Sequence, residues 1–417
     1  MTQYYDSLET RPPEDREAAL MSKLPSQVAQ ALRYAPAFAE SLRGVDALGI
    51  CSREALARLP VVRKPELMAR QRAQCQDDVF GGFSTIGWGN RRGSLRVFSS
   101  PGPIYEPEGR AADYWRMARA IFAAGFRAGD LIHNSFSYHF TPAGSMMETG
   151  AHALGCTVFA AGVGQTEMQV QAIAELKPAG YIGTPSFLKI ILEKCGELGH
   201  APTSMTKALV GGEAFPPSLR DWLRERGIEG YQSYATADLG LVAYETSARE
   251  GLVLDEGVIV EIVRPGTGDT VTDCEVGEVV VTSLNPDYPL IRFGTGDLSA
   301  ILPGACPSGR TNRRIRGWLG RADQTAKVRG MFVHPGQIAE VLRRYGNLGR
   351  ARLVVEGEMA NDRMTLHVET SGPTEGLKER IADSIRDVTK LRGEVVLCAS
   401  GSLPNDGKVI EDVRRYE

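Results

Sequence analysis

The chain has 417 residues, of which 42% are hydrophobic and 24% charged, and its net charge is −3. That length supports two or three domains with a sizeable core, and the balanced charge argues against nucleic acid or an acidic membrane surface as a partner. No apolar run approaches the roughly 18 residues of a membrane span. Residues 1–6 lack the basic and apolar regions of a secretory leader, so a cytoplasmic location is expected. Seven cysteines occur without a Cys-x-x-Cys pair, which fits a reducing compartment where thiols serve as small buried hydrophobes.

The first 70 residues read as helix-rich. Val28, Leu32 and Ala35 recur at helical spacing and Pro36 ends the run, so this part is expected to be a packing layer with no site in it. From about residue 110 helices alternate with short apolar strands. Helices are expected over 114–124, 146–154, 169–176 and 187–195, and strands over 131–134, 156–160, 180–183 and 208–210. Such alternation predicts a parallel sheet covered by helices, with ligands beyond the carboxyl ends of its strands. Residues 250–302 turn strand-rich, as in 258–263 and 277–282, and predict a β-subdomain. After Arg321 a smaller α+β unit begins, marked by Ile338, Val341 and Leu342, then strands at 353–355 and 365–368. The amphipathic stripe Leu377, Ile381, Ile385 and Val388 and a strand at 395–397 complete it. The fold class is therefore α/β. A large N-terminal domain (1–320) combines mixed or parallel sheets, covering helices and a β-subdomain, and a small mobile α+β domain (321–417) follows.

Four patches offer chemistry. In Phe293-Gly294-Thr295-Gly296-Asp297 the glycines let backbone approach a ligand, and the carboxylate can accept two ribose hydroxyls; a plain β-turn explains the same letters. Around the domain junction, Arg321 is placed to reach a ribose and Asp323 to absorb a hinge rotation. Tyr234-Ala235-Thr236-Ala237-Asp238 offers a carboxylate for Mg²⁺ and a hydroxyl for a substrate oxygen. Lys408, on the Gly-containing loop Pro404-Asn405-Asp406-Gly407-Lys408, can swing in and neutralise charge in a phosphoryl-transfer transition state.

In order and combination these patches resemble the adenylate-forming superfamily of acyl-CoA synthetases, most closely its phenylacetate–CoA ligase branch. The resemblance extends to Gly164-Gln165-Thr166-Glu167, Lys177-Pro178, Thr184-Pro185-Ser186 and Gly211-Gly212-Glu213. It continues through Arg329-Gly330 and Val333-His334-Pro335-Gly336. It implies an AMP-forming ligase that activates an aromatic or other organic carboxylic acid through an acyl-adenylate to its CoA thioester, using ATP, Mg²⁺ and coenzyme A. By motif position Asp297 and Arg321 would hold the ribose, with Ser99, Ser100, Gly211, Gly212, Glu213, Tyr234 and Ala235 along the nucleotide. Asp238 would replace the family's metal-binding Glu, and Thr236 and Lys408 would serve catalysis. Tyr138, Phe140, Gly212 and Ala235 would line the acyl pocket, Asp323 would be the hinge, and Arg329, Gly330 and His334 would face CoA. The partners implied are small molecules; a homodimer is compatible with the chain.

Two departures from the family pattern stand out. At the phosphate loop the chain reads Ser99-Ser100-Pro101-Gly102-Pro103-Ile104-Tyr105-Glu106-Pro107. Its prolines lack N–H donors and Glu106 adds negative charge where phosphates should sit. This keeps two alternatives open: an ATP-independent acyltransferase and a catalytically silent nucleotide or acyl-CoA-binding paralogue. Relatives in the branch often carry structural zinc, but the matching positions here are Thr246, Val253, Cys306 and Ser308. One thiol cannot make a four-ligand site, so no zinc is expected.

Overall fold

A computed structural model describes residues 3–414 apart from 90, 91, 265, 320, 321, 323–325, 330, 334, 358–361, 373 and 405–407. The chain divides into two compact units, Met1–Gly320 and Arg321–Glu417.

The larger unit opens with α1 (Pro13–Tyr34), whose buried stripe of Leu20, Leu24, Val28 and Ala31 keeps helical spacing. Pro36 ends it but also starts α2 (Pro36–Ser41), because a proline's fixed φ and missing N–H suit a first helical position. Then come α3 (Arg53–Ala57), β1 (Val62–Arg63) and α4 (Lys64–Gln74). A hairpin of β2 (Arg96–Ser100) and β3 (Ile104–Glu108) follows.

The alternating segment forms α5 (Ala118–Ala123), β4 (Leu131–Asn134), α6 (Ala143–Leu154), β5 (Thr157–Ala160) and α7 (Thr166–Leu176). It continues through β6 (Gly180–Gly183), α8 (Pro185–Glu197), β7 (Lys207–Val210), α9 (Pro217–Arg224) and β8 (Glu229–Thr236). The helix expected from residue 114 begins only at Ala118. Asp113 and Arg116 sit at φ +50° and +63°, and the Asp113 carboxylate accepts the Ala118 N–H at 3.2 Å, so the chain turns before the helix starts. Tyr114 and Trp115 are instead buried in the core.

Strands β4 to β8 run parallel in the order β5-β4-β6-β7-β8. The antiparallel strands β9 (Gly240–Glu245), β10 (Leu252–Leu254), β14 (Ile301–Leu302) and β15 (Arg314–Ile315) extend this to nine. A separate four-stranded sheet, β1-β13-β12-β11, contains β11 (Val258–Val263), β12 (Gly277–Ser283) and β13 (Phe293–Ser299). The strand-rich region is thus shared between two sheets, and the second recruits β1 from the N-terminal part, parallel to β13. Leu24, Val28 and Phe38 pack with Ile259, Val281 and Phe293 in one core.

The smaller unit has a hairpin of β16 (Ala326–Val328) and β17 (Met331–Val333), then α10 (Pro335–Arg343). Its sheet, β20-β19-β18-β21, is built from β18 (Leu348–Glu356), β19 (Arg363–Thr370), β20 (Glu394–Ala399) and β21 (Ile410–Asp412), with α11 (Leu377–Thr389). Leu377, Ile381 and Ile385 are buried with Ile338, Val341, Leu353 and Leu366, as their spacing requires.

All seven cysteines are free. Cys156, Cys195 and Cys306 are buried, but Cys51, Cys75 and Cys274 are exposed, so the buried-hydrophobe expectation fails for those three. Among the described residues no helix is long and apolar enough to cross a membrane.

Candidate active site

The carboxyl ends of the parallel strands carry the motif residues. From β4 the chain passes to Asn134, whose amide donates to the Tyr138 hydroxyl at 2.8 Å and to Gly144 O at 3.0 Å. After β6, Ser186 donates to Glu213 Oε2 at 2.5 Å, joining the start of α8 to the loop after β7. Gly211 N–H donates to Gly183 O at 3.2 Å, and a Cβ on Gly211 would meet Ser233 Oγ at 3.1 Å, so the β7 and β8 ends are in close contact. Gly212 adopts φ +76°, a left-handed conformation that favours glycine.

At the end of β8, Tyr234 donates its hydroxyl to Asp297 Oδ2 at 2.9 Å. Trp318 Nε1–H donates to the other oxygen, Oδ1, at 3.2 Å. The Asp297 N–H is fixed by Thr295 Oγ1 at 3.1 Å, and that hydroxyl in turn donates to Val279 O at 3.0 Å. Phe293-Gly294-Thr295-Gly296-Asp297 is therefore strand β13 and not the simple turn that its letters also allow. Gly296 holds φ +75°, and the β12–β13 register shifts between Glu278 and Val280, so the strand is kinked beside the carboxylate. Immediately before it, fully buried Arg292 pairs with Glu261 through two 3.0 Å contacts. It also donates to Ala57 O, Leu59 O and Gly268 O at 2.5–2.7 Å, fixing where β13 begins.

Asp238 follows β8 with its side chain wholly buried, and Lys64 Nζ lies 2.8 Å from its Oδ2. Its Oδ1 has no hydrogen-bond partner among the described residues. Lys64 opens α4, next to the β1–β13 pairing of Arg63 with Gly294, and its ammonium is 6.0 Å from the Phe293 ring centroid. The N-terminal helical layer thus reaches beyond its own packing, placing the Lys64 cation on Asp238. Thr236 uses its hydroxyl to accept the Leu239 N–H at 3.1 Å, shaping the turn into β9.

The β2–β3 hairpin places Ser99 and Ser100 here. Ser99 N–H donates to Phe140 O at 2.8 Å. Ser100 gives its N–H to Glu106 Oε2 at 3.2 Å and its hydroxyl to Oε1 in a short bond. Burial, reinforced by the Asp238 charge, pushes the Glu106 carboxyl well above the usual carboxylate range, against the pull of Ser100 and Lys64. Phe140 is 81% exposed at φ +61°, so its main chain, not its ring, touches this group.

The remaining expected residues are described each within its own unit or fall outside the described residues. Ala235 is half-buried on β8 beside Tyr234. Arg329 donates its N–H to Asp362 Oδ2 at 2.9 Å within the smaller unit, and Lys408 is exposed there. Arg321, Asp323, Gly330 and His334 fall outside the described residues. At the positions matching a family zinc site, the Cys306 thiol contacts Ser308 Oγ at 3.1 Å and Thr246 Oγ1 at 3.8 Å. Nearby, Arg310 pairs with buried Glu9 at 2.9 Å.

Three residues given no role from sequence contact or flank the candidate site residues: Trp318 touches Asp297, Lys64 touches Asp238, and Arg292 precedes β13. Trp318 had one visible signal, its position three residues before Arg321. Arg292 had its place directly before Phe293, though not its partner Glu261, and Lys64 had none, because its partner is distant in the chain.

A family model described as AMP-binding enzyme matches residues 111–285, and one described as AMP-binding enzyme C-terminal domain matches 330–413. A phenylacetate–coenzyme A ligase of Thermus thermophilus is 30% identical, over 96% of each chain. One from Aromatoleum evansii is 29% identical, over 87% of this chain and 84% of its own. The solved structure of a 2-hydroxyisobutyryl-CoA ligase in complex with 2-HIB-AMP and CoA shares the fold. Its TM-score is 0.85 at 24% identity, covering 100% of this chain and 93% of that one. Fold and sequence together define an adenylate-forming, AMP-binding enzyme. Within that class the chain belongs to the phenylacetate–CoA ligase-like family.

Proposed function

We propose that this protein is an AMP-forming acid–CoA ligase acting on an aromatic or other organic acid. In the first step a carboxylate oxygen attacks the α-phosphate of ATP, forming the acyl-adenylate and releasing pyrophosphate. In the second the thiolate of coenzyme A attacks the acyl carbon and AMP leaves with the bonding electrons. The observation that carries this reading is Asp297, held in place by Thr295 and presenting to Tyr234 and Trp318 a carboxylate that could equally accept a ribose diol. Gly211, Gly212 and Glu213 would run along the adenine side, and Tyr138 and Ala235 along the acyl side.

Lys408 would stabilise the charge developing on the α-phosphate, with residues 321–417 as the lid and Asp323 as its hinge. Arg321 would add a second contact to the ribose. Arg329, Gly330 and His334 would face coenzyme A.

The donor set suits a magnesium that arrives with ATP better than a resident metal. Asp238 Oδ1 is a buried carboxylate oxygen with no hydrogen-bond partner among the described residues, and Mg²⁺ commonly takes one or two carboxylates plus substrate phosphates. Among the described residues no group of three or more His, Cys, Asp or Glu could hold an ion by itself. When bound, the ion would neutralise phosphate charge. The proposed setting is the cytoplasm, in keeping with seven free thiols.

The test is pyrophosphate release with ATP, Mg²⁺ and a panel of aryl and alkyl acids, beginning with arylacetic acids. Release that disappears in Lys408→Ala supports the reading, and no release with any acid sinks it. A second reading, acyl transfer from a preformed adenylate or thioester, is favoured by the engagement of Ser100 with Glu106. It predicts CoA acylation without pyrophosphate release.

A further inference from the structure

We propose that Glu106 is a nucleotide-selectivity residue: from within the protein it occupies the donors of Ser100 that the outer phosphates of ATP would take. It thereby favours AMP and acyl-adenylate over ATP. This rests on the ligase reading above, with the β2–β3 hairpin as the phosphate side of the site.

Four observations converge on it. Phe98 and Glu106 are directly paired across the hairpin and Ser100 is two residues along, so Ser100 and Glu106 share a face. Both Ser100 donors, N–H and O–H, end on the Glu106 carboxyl, which is fully buried. Pro101, Pro103 and Pro107 supply no N–H, so the hairpin has few other donors to offer an incoming phosphate. The hairpin is also tied down from outside. Gln71 exchanges two hydrogen bonds with the Tyr105 main chain at 2.8 and 2.9 Å, and Arg72 donates to Gly102 O at 2.7 Å.

Occupancy sets the effect. ATP must break the Ser100–Glu106 bonds before its β- and γ-phosphates can use those donors, whereas AMP has no atoms to place there. Glu106 feels the opposed charges of Asp238 and Lys64, which are themselves paired at 2.8 Å, so the selectivity rests on the Ser100 donors and not on net charge. Hydrogen bonds to charged groups are strong enough that regaining one changes affinity by about tenfold.

The experiment is calorimetric titration of the full chain with AMP, ATP and pyrophosphate in the presence of Mg²⁺. Unmodified protein is expected to bind AMP at least as tightly as ATP. Glu106→Ala frees both donors and should lower the Kd for ATP and for pyrophosphate about tenfold, leaving AMP within twofold. Glu106→Gln keeps one acceptor oxygen for two donors, so it frees one of the Ser100 donors and should shift ATP in the same direction by a smaller factor, about threefold. An ATP Kd unchanged in both variants overturns the inference, as does unmodified protein that prefers ATP over AMP by more than tenfold. Either result leaves the ligase reading intact if pyrophosphate release persists. Protein that binds no adenine nucleotide overturns both.

Discussion

Tyr234 and Asp297 are joined by a 2.9 Å hydrogen bond that ties the carboxyl end of β8 to the kinked strand β13. Two sheets meet at that bond, since β8 belongs to the nine-stranded sheet and β13 to the four-stranded one. Trp318, from the loop after β15, donates to the second carboxylate oxygen.

Asp297→Ala should therefore weaken AMP binding by about 3 kcal/mol, roughly a hundredfold in Kd, since two charge-assisted bonds to the ribose are lost. Trp318 provides the optical readout. Its indole donates to Asp297, so its fluorescence should change when AMP engages that carboxylate in the native protein and stay constant in the Asp297→Ala variant.

Lys408→Ala should lower the rate of pyrophosphate release by about a hundredfold or more, as removal of a transition-state charge partner does. Lys408 is exposed, so the midpoint of urea unfolding should move by less than about 0.5 kcal/mol equivalent. Loss of stability together with loss of rate would count against a catalytic role.

Arg292→Met should be among the most damaging single changes in the larger unit. It leaves Glu261 buried without its partner and three carbonyls without donors, which costs about 3–5 kcal/mol. Urea unfolding measures this directly, and nucleotide affinity should fall with it because β13 loses its anchor.

Gln169 and His133 set an acid limit on stability. Gln169 Oε1 meets His133 Nε2 at 2.8 Å and accepts from Ser135 Oγ at 3.1 Å. Its amide nitrogen donates to Gly162 O and Gly164 O. Burial pulls the His133 imidazole below its ordinary range, so the folded chain binds fewer protons there than the unfolded one. This contribution is whole above about pH 6.5 and is lost as pH falls below it. His133→Gln should flatten the decline in unfolding free energy as pH falls below about 6.5. Gln169→Ala should cost about 2–3 kcal/mol at any pH by stranding buried polar groups.

Much of the fold was legible because its signals are local. The helix stripes of α1 and α11 and the apolar strands β4, β6 and β11 follow from side-chain periodicity within a few residues. Element starts were less legible where a backbone turn intervened, as at Asp113 and Arg116 before α5. The family was readable for a similar reason: its motifs are short strings in a set order, from Thr184-Pro185-Ser186 to Lys408.

By itself, then, the sequence determined the α/β class and the family, and it singled out Asp297 as the carboxylate proposed for the ribose. Tertiary structure decided what surrounds that carboxylate. Only folding brings Lys64 from the start of α4 to Asp238. Only folding makes Phe293-Gly294-Thr295-Gly296-Asp297 a strand, through pairing with β1 and β12. Likewise Glu106, which in sequence was a misplaced charge, became in three dimensions the buried holder of both Ser100 donors. The physical reason is common to all three. Periodicity and turn chemistry act between neighbours along the chain, whereas ion pairing, strand partnership and burial depend on groups that only packing brings together.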